Sequence, residues 1–371
     1  PEDCGTNGQD ECRVETRVED DAGNSDNDTA LFDIDTSDPT TTITTDDTSW
    51  YNSDISVSVD DTDSGGSGFD SCRYRIDDSN NGSYETSWTS RSCPDGGFTV
   101  QVPEDCGTNG QDECRVEVFV NDSAGNIGND TALFDVDYNP PDYSNEKTDP
   151  VDPVTYDPSR NYQFNITWID EETSVDEVIF EFDGANYSYS SGDISKSGNE
   201  YYITLPPISA GTHNYKWYAN DTVDNWNSTS QLSYTVDKAD PSSDLHLALN
   251  SSESNLTIYY GNTSNATGWS SLPDNEDLNF NLDRNSTLVA SGDPATETAV
   301  LKAETYNYVY ETSGGENYTS GSSPTRSLTV LKTGCDVDLW LNSGEKDNDN
   351  AIFYGTQANA TASINIDSSP E

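Results

Sequence analysis

Apolar residues along this chain alternate with polar ones, which is the period of a β-strand that buries one face. Between the apolar runs stand DDTDSGGSG, DDSNNGS and NDSAGN, whose Asp, Asn and Gly residues are typical of tight turns. No segment shows the longer period of an amphipathic helix. The pattern therefore predicts an all-β protein. The clearest runs are Ile55, Val57, Val59; Cys72, Tyr74, Ile76; Phe98, Val100, Val102; Cys114, Val116, Val118, Val120; and Phe134, Val136.

The segment PEDCGTNGQDECRVE occurs twice, at residues 1–15 and at residues 103–117. The similarity continues past the cysteines, because AGNSDNDTALFDID at 22–35 returns at the same offset as AGNIGNDTALFDVD at 124–137. An offset of 102 residues is the length of one β-sandwich domain. We therefore predict one complete sandwich domain with disulfides over residues 39–140.

The rest of the chain predicts two further sandwich domains. A Pro-rich boundary, NPPD and then DPVDPVTYDP, leads into residues 141–240, where YQFNITW, VIFEF, EYYITL and HNYKWYA have an aromatic alternating pattern. This domain ends on NDTVDN and LSYTVD, which repeat the strand, turn and strand order of VFVNDSAGN and ALFDVD. Residues 241–333 form the next predicted domain, because LALNSSESN at 247–255 returns in similar form as LWLNSGEKDN at 339–348.

Two pieces at the ends complete this arrangement. Residues 1–38 correspond to the C-terminal half of a cysteine-containing repeat, and residues 334–371 to the N-terminal half of a different repeat. We expect the missing halves upstream and downstream, so that the chain is a window in a longer tandem array. The alternative is that the two halves complete one another between neighbouring molecules by strand donation, which would build a fibre.

The charge of the chain indicates the environment in which such domains would be soluble. Acidic residues number 69 and basic residues 16, for a net charge of -53, and hydrophobic residues make up only 31%. Aromatic residues at 10%, including 21 tyrosines, argue against disorder. At molar salt the Debye length falls to roughly 3 Å, which screens the self-repulsion. We infer a halophilic source, with an acidic secreted protein as the alternative, and we expect no nucleic-acid partner and no membrane contact.

Six of the seven cysteines form three local pairs: Cys4 with Cys12, Cys72 with Cys93, and Cys106 with Cys114. None has the CxxC spacing of zinc or redox sites, and the only histidines, His213 and His246, are too few for a His/Cys metal cluster. We predict three disulfides and hence an oxidising, extracellular compartment. The four cysteines of the complete domain also permit other pairings, and Cys335 has no assigned partner.

Asn-X-Ser/Thr sequons are frequent, and they favour a cell-surface protein that carries N-linked glycans. In a chain so rich in Asn, Ser and Thr, chance would supply roughly half of them. The predicted sites are Asn27, Asn81, Asn121, Asn129, Asn165, Asn186, Asn220, Asn227, Asn250, Asn255, Asn262, Asn265, Asn285, Asn317 and Asn359.

No catalytic motif stands out from the sequence. Carboxylates are so numerous that no pair is informative for acid–base catalysis, and the two histidines fit partly buried or edge positions of strands. P-loop, Rossmann and haem-attachment motifs are absent from the sequence. We therefore predict that the chain is not an enzyme, with calcium as its one candidate cofactor.

The calcium hypothesis concerns Asp clusters near the predicted domain junctions and turns. Calcium binds six to eight oxygen atoms, and clusters of this kind can stiffen a tandem array. The alternative is a solvated acidic turn, and in NDSAGN and NDTVDN an Asp that closes a hairpin explains the motif without a ligand. The candidate ligands are Asp33, Asp35, Asp38; Asp60, Asp61, Asp63; and Asp135, Asp137, Asp142.

Two parts of the chain resemble known surface repeats. SWYNSDISVSVDDTDSGGSGFDSCRYRID and VFVNDSAGNIGND are similar to the opening strands and the closing hairpin of Ig-like domains in large bacterial and archaeal surface proteins. RNYQFNITW and YKWYANDTVDNWNSTSQLSYTVD are similar to Ig-like repeats of archaeal cell-surface glycoproteins. The loop CGTNGQDEC, with its added cysteine pair, departs from that pattern.

The resemblance covers most of residues 39–333 and implies tandem Ig-like β-sandwich domains in an extended string. It also implies a structural extracellular role as a stalk, surface layer or filament of a halophilic archaeon, with self-association into a filament or layer. The alternative is a binding module, namely an adhesin or receptor-binding arm whose tip lies outside this segment.

Overall fold

The computed structural model describes residues 4–341 and 360–366, which form strands, turns and loops. Apart from one turn of 3-10 helix at Ser242–Asp244, no helix is found in these two ranges. In the same ranges, no helix has the length and apolar character needed to cross a membrane. The predicted fold class, all-β with tandem Ig-like β-sandwich domains, is confirmed. The domain boundaries stay predictions.

The chain divides into two compact units. The first contains Pro1–Lys147, Phe164–Ile203 and Asn214–Leu232, whereas the second contains the segments between these and the rest of the chain: Thr148–Gln163, Thr204–His213 and Ser233–Glu371. The middle third of the chain therefore contributes segments to both units.

The first unit begins with a hairpin and a sandwich. Strands β1 and β2 form a two-stranded antiparallel sheet, and the next nine strands form one sheet in the order β4-β11-β10-β7-β8 with two antiparallel pairs, β3-β6 and β5-β9. The bounds are β1 (Gly8–Glu19), β2 (Ser25–Ile34), β3 (Thr40–Ile43), β4 (Trp50–Tyr51), β5 (Ile55–Val57), β6 (Val59–Thr62), β7 (Phe69–Asp77), β8 (Thr89–Arg91), β9 (Phe98–Val100), β10 (Gly110–Asp122) and β11 (Ile127–Val136).

The core of this sandwich follows from the alternation seen in the sequence. Along β10, every second side chain from Cys114 to Val120 is fully buried, and the intervening ones are half-buried. This face packs with Phe134 of β11 against Ile55 and Val100 of the β5-β9 pair. Each such aliphatic or aromatic side chain contributes about 1.5–3 kcal/mol on burial.

Three disulfides join the predicted cysteine pairs. The Cα–Cα distances are 5.3 Å for Cys4 and Cys12, 5.6 Å for Cys72 and Cys93, and 5.4 Å for Cys106 and Cys114. The Cys106 and Cys114 side chains are fully buried, so this bridge is part of the sandwich core. The side chain of Cys335 lies outside what the structure describes.

A buried ion pair lies next to the second of these disulfides. Arg91 binds Asp61 in a bidentate manner, with Nη1 2.6 Å from Oδ2 and Nη2 2.8 Å from Oδ1, and the two side chains are 1% and 0% exposed. The backbone N of Asp95 also donates to Asp61 Oδ2 at 2.9 Å. Burial raises the pKa of Asp61, but the hydrogen bonds from Arg91 and Thr41 outweigh it and hold this pKa below the ordinary value.

The strands of the middle third surround aromatic side chains, as their sequence predicts. Within the first unit, Phe180 lies 5.1 Å from Phe164 and 4.6 Å from Trp217 between ring centroids, and β15 pairs antiparallel with β16 and β19. Within the second unit, Tyr162 meets Tyr234 edge to face, and β13 pairs parallel with β21. The bounds are β12 (Asp142–Asp149), β13 (Val154–Thr155), β14 (Tyr162–Ile169), β15 (Val175–Phe182), β16 (Ala185–Ser188), β17 (Ser195–Ser197), β18 (Glu200–Leu205), β19 (Gly211–Asp221), β20 (Trp226–Ser228) and β21 (Leu232–Asp237).

The second unit also contains a further sandwich. One sheet has the order β22-β24-β27, and the other has the order β23-β30-β28-β25-β26 with β29 paired to β28. Leu247, Leu282 and Tyr310 are among its fully buried side chains. The bounds are β22 (Leu245–Leu249), β23 (Leu256–Tyr259), β24 (Thr263–Ser270), β25 (Phe280–Arg284), β26 (Thr287–Ser291), β27 (Ala295–Val300), β28 (Thr305–Thr312), β29 (Gly321–Ser322) and β30 (Arg326–Leu331); the antiparallel pair β31 (Cys335–Leu341) and β32 (Ala360–Ile366) follows.

Candidate functional site

Two groups of three Asp carboxylates lie in the first unit. In each group, one oxygen atom from each residue lies within 4.8 Å of the other two. No other group of three or more His, Cys, Asp or Glu side chains comes together in this way within the described ranges. We call them the first triad (Asp35, Asp63, Asp122) and the second triad (Asp137, Asp170, Asp221).

The two triads are built from equivalent places in successive repeats. The first member of each comes directly after the last strand of one repeat, which is β2 or β11. The second member comes directly after β6 or β14 in the following repeat, and the third is the last residue of β10 or β19. Each triad therefore brings the end of one repeat to two loops of the next.

In the first triad, the third member also closes a hairpin. Asp122 Oδ1 accepts hydrogen bonds from the backbone N of Ala124 at 3.0 Å and of Asn126 at 2.8 Å, and Asp122 Oδ2 accepts one from Asn126 Nδ2 at 2.8 Å. Asn126 Nδ2 lies 3.3 Å from the carbonyl oxygen of Asp35, which ties the hairpin to the end of the preceding repeat. Gly65, which has no side chain, leaves room for the Asp35 carboxylate.

The second triad repeats these contacts. Asp221 Oδ1 accepts hydrogen bonds from the backbone N of Val223 and of Asn225, both at 2.9 Å. Asn225 Nδ2 donates to Asp221 Oδ2 at 2.7 Å and to the carbonyl oxygen of Asp137 at 2.9 Å. Thr173 Oγ1 donates to Asp137 Oδ2 at 2.9 Å.

Burial and charge act differently on the two triads. Burial raises the pKa of Asp137, and repulsion from Asp170 and Asp221 adds to it, so this pKa lies above the ordinary Asp value despite the Thr173 hydrogen bond. At Asp122 burial also raises the pKa, but the hydrogen bonds from Asn126 and the turn outweigh it, and the net shift is downward. Burial raises the pKa of Glu172, and repulsion from Asp137 and Asp170 raises it further. The second triad thus concentrates negative charge that its surroundings neutralise only in part.

The chemistry of these groups fits a hard cation. Their donors are carboxylate oxygens without sulfur or imidazole nitrogen, which is the set that Ca²⁺ prefers and which does not suit Zn²⁺. None of the ion pairs seen among residues 4–334 uses a triad carboxylate. A divalent cation would supply the positive charge that no Lys or Arg side chain supplies there.

The structure separates the predicted calcium ligands. Asp35, Asp63 and Asp137 belong to the triads. Asp61 does not, because it faces the core and binds Arg91, whereas its neighbour Asp60 is exposed on the opposite face of β6. The prediction that grouped Asp60 and Asp61 with Asp63 therefore differs from the structure.

Asp33 and Asp135 bind the cysteine loops instead of a triad. Asp33 Oδ1 accepts a hydrogen bond from the backbone N of Asp10 at 2.9 Å, and Asp135 Oδ1 accepts one from Asp112 at 2.8 Å. The donor residues have φ of 59° and 58°, and the carboxylates hold this left-handed turn in place. Two further candidates, Asp38 and Asp142, are exposed and lie outside both triads.

The sequence prediction missed half of the triad residues. The sequence indicates only a hairpin-closing role for Asp122 and Asp221, and no motif identifies Asp170. Their common place at the end of a strand was a usable signal, because NDSAGN and NDTVDN place their Asp identically before the turn. What the sequence does not show is that this turn lies against the final residue of the preceding repeat.

The predicted glycosylation sites differ in exposure. Asn165 and Asn220 are buried, and their Nδ2 atoms donate to Glu200 and Asp224 at 3.2 and 3.0 Å. A glycan on either would displace a strand, so the prediction is incompatible with the fold at these two positions. Asn121, Asn227, Asn265 and Asn317 are half-buried, Asn359 lies outside the described residues, and the exposed sites are Asn27, Asn81, Asn129, Asn186, Asn250, Asn255, Asn262 and Asn285.

We therefore expect Asn165 and Asn220 to remain unmodified in native material while exposed sequons carry glycan. The physical reason is that a transferase-accessible Nδ2 must point into solvent, and these two point into the fold. Mass spectrometry of proteolytic peptides, with and without glycosidase, measures the occupancy of each site. Asn186 and Asn285 are the matched exposed controls, and glycan found on Asn165 would contradict the expectation.

A different contact is found in the second unit. Tyr156 and Tyr318 both donate hydrogen bonds to the carboxylate of Asp274, at 2.6 Å for Tyr318, and their rings meet edge to face at 5.6 Å. Burial raises the pKa of Tyr318, and the hydrogen bond to Asp274 raises it further. Here two hydrogen-bonded neutral tyrosines solvate the half-buried carboxylate of Asp274.

The two histidines occupy ordinary positions on strands. His213 is half-buried, and its Nε2 lies 2.9 Å from the carbonyl oxygen of Ser209. His246 stacks on Trp269 with 5.2 Å between ring centroids, and its Nδ1 lies 3.5 Å from Glu253. Neither contact is that of a nucleophile and its base.

No protein family model and no curated protein matches this sequence. Among solved structures, the chain is similar to a tetra-tandem repeat in the extending region of a large adhesion protein, with 16% identity over 85% of this chain and 81% of that one and a TM-score of 0.37. It is also similar to a 1.5-MDa bacterial ice-binding adhesin (14% identity, 76% and 91% covered, TM-score 0.30) and to the ICAM-5 D1–D4 ectodomain fragment (9%, 89% and 99%, TM-score 0.39). These similarities are too distant to indicate a function.

Proposed function

We propose that this chain is a non-enzymatic, load-bearing part of an extracellular repeat protein, in which calcium ions bound by the Asp triads hold successive repeats together. The single observation that carries the proposal is the recurrence of one three-carboxylate arrangement at the ends of two successive repeats. Such a protein would serve as a cell-surface stalk, layer or filament. The three disulfides favour an oxidising compartment, and the net charge of -53 favours a halophilic archaeon as its source.

The physical role of the cation follows from what each triad connects. Without a cation, three carboxylates repel one another, and that repulsion favours separation of the repeat end from the two loops. A bound Ca²⁺ turns this repulsion into attraction between each carboxylate and the cation. It also restrains the junction, because its ligands come from both of the successive repeats. Surface glycans at exposed sequons and self-association of the repeats belong to the same proposal.

Calcium is expected to raise the melting temperature of the chain at constant molar salt, relative to a chelator. Binding only to the folded state contributes about 2.7 kcal/mol when free calcium is 100-fold above its dissociation constant. Differential scanning calorimetry with calcium, magnesium and chelator arms measures the effect. A melting temperature that is the same in all three arms would remove the calcium role and leave only the structural one.

The variant Asp137→Asn gives this experiment its sharpest form. A raised folded pKa means that the stability contributed by Asp137 is present below the ordinary Asp pKa of about 4 and is lost as pH rises through the raised value. In chelator at neutral pH, the variant is therefore expected to be as stable as the parent or more stable, and in calcium less stable. Asp60→Asn, on an exposed carboxylate outside the triads, is the matched control and should change neither arm.

A further inference from the structure

Two hairpins in the first unit share nearly one sequence and one register. In β1–β2, Cys12 is opposite Phe32 and Val14 is opposite Ala30, and in β10–β11 the residues 102 positions later pair in the same way. Both contain a register shift at the cysteine loop. The two hairpins are therefore the same structural element in two different surroundings.

Their burial differs on one face, apart from Cys12, which is buried as Cys114 is. Val14, Val18 and Phe32 are 47%, 69% and 50% exposed. Their counterparts in β10–β11, which are Val116, Val120 and Phe134, are each 0% exposed. A face that is core in one copy is thus open in the other within the described residues.

The covered copy shows what kind of surface fits this face. Residues 39–102 contribute β7 to one edge of β10–β11, with Tyr74 opposite Val118, and β4 to the other edge, with Trp50 opposite Asp135. They also pack Ile55, Val57 and Val100 onto the apolar face. In the described residues, β1–β2 has neither edge paired and remains a two-stranded sheet.

We propose that the face of β1–β2 formed by Val14, Val18 and Phe32 is the docking surface of a polypeptide segment homologous to residues 39–102. The segment completes a sandwich on β1–β2 as residues 39–102 do on β10–β11. A polypeptide is required because the open edges need backbone partners as well as apolar cover. Asp130, for example, accepts a hydrogen bond from the backbone N of Ile43 at 2.8 Å, and Asp28 holds the equivalent place in the open hairpin.

Two substitutions show that the docked segment is a relative of residues 39–102 and not an identical copy. A side chain at Gly128 would overlap the carbonyl oxygen of Pro39, and the open hairpin has Asp26 at this position. Thr16 stands where Val118 is fully buried. The backbone of the docked segment must therefore follow a different course beside Asp26. It must also offer the Thr16 hydroxyl a hydrogen-bond partner or access to water.

The experiment places a copy of residues 40–102 directly before Pro1 of the full chain, because Pro1 corresponds to Pro103. A second version of this fusion also carries Asp26→Gly and Thr16→Val, which remove these two departures and leave Arg17 and Thr36 in the places of Phe119 and Tyr138. Amide hydrogen exchange of residues 12–18 is compared with that of residues 114–120 in the same molecule. In the second version, we expect amide exchange at residues 12–18 to slow by roughly 100-fold and to approach the exchange rate of residues 114–120.

Adjacent residues provide the matched control. Phe32→Ser is expected to abolish the new protection, whereas Leu31→Ser, on the other face of β2, should leave it in place. The proposal is overturned if 12–18 exchange as fast in both fusions as in the parent chain while 114–120 stay protected. It is also overturned if the parent chain dimerises through this face, with Phe32→Ser restoring the monomer in sedimentation analysis, because the occupant is then a second copy.

Discussion

Replacing Arg91 with Leu is expected to destabilise the sandwich of residues 39–137 by about 3–5 kcal/mol, the cost of leaving one partner of a buried ion pair without the other. The Asp61 side chain is fully buried, and Arg91 supplies its only bidentate contact in the described residues. The backbone N of Asp95 would remain as a donor, but it carries no charge. Chemical unfolding followed by hydrogen exchange at residues 55–59 measures the loss.

Two variants separate the ion pair from the packing of the long side chain. Arg91→Leu combined with Asp61→Leu is expected to recover most of the stability, because no unpaired charge remains. Arg73→Leu, on an exposed residue of the neighbouring strand β7, should have little effect. If the double variant is no more stable than Arg91→Leu alone, the loss comes from packing and the expectation is wrong.

The pH dependence of the parent chain has a definite sign at this pair. The folded pKa of Asp61 is lowered, so the pair contributes its stability above the ordinary Asp pKa of about 4 and loses it as pH falls through the lowered value. In Arg91→Leu we expect the sign to reverse, because burial, the largest influence on the Asp61 pKa, is then opposed only by the hydrogen bonds from Thr41 and the backbone N of Asp95. A crossing of the two stability curves at acid pH is the expected result.

Asp122→Asn is expected to destabilise the same sandwich by about 2 kcal/mol, because a buried carboxylate that accepts three hydrogen bonds becomes an amide. The new Nδ2 would face Asn126 Nδ2, so a donor meets a donor. The pKa of Asp122 is lowered in the fold, so its contribution is present above the ordinary pKa and disappears as pH falls. Thermal unfolding in chelator excludes any contribution from a cation.

The chain contains its own control for this variant. Asp20 accepts the same three hydrogen bonds in the open hairpin, from Ala22 and Asn24 at 2.8–3.0 Å, but the residue is exposed to water. Asp20→Asn should therefore have little effect on stability, since water replaces what the amide cannot accept. Equal effects at Asp20 and Asp122 would show that turn geometry alone, and not burial, determines the cost.

The sequence predicts the fold well because the strand period is a local property and the repeat is visible when two segments are compared directly. The alternation at Val116, Val118 and Val120 identifies β10, and the fifteen-residue repeat identifies its twin. The pairing of cysteines also follows from nearness along the chain, since the paired residues are separated by 8, 21 and 8 positions.

The candidate site is predicted less well because proximity along the chain is a poor guide to proximity in a sheet. Asp60 and Asp61 are consecutive, yet the pleat of β6 places one in solvent and the other in the core. The triads instead join residues separated by up to 87 positions, as with Asp35 and Asp122. Sequons have the same weakness, because the three letters around Asn165 do not show that this side chain is buried in the fold.

The near identity of the two hairpins has a consequence for folding. Before the segment that covers β1–β2 has docked, both hairpins compete for the strands in residues 39–102, and β1–β2 is synthesised before β10–β11. If β1–β2 paired with these strands, residues 110–136 would have no partner strands and would be prone to aggregation. Asp26 would collide with the carbonyl oxygen of Pro39, whereas Gly128 does not. This clash disfavours pairing of β1–β2 with residues 39–102 and so favours pairing with β10–β11.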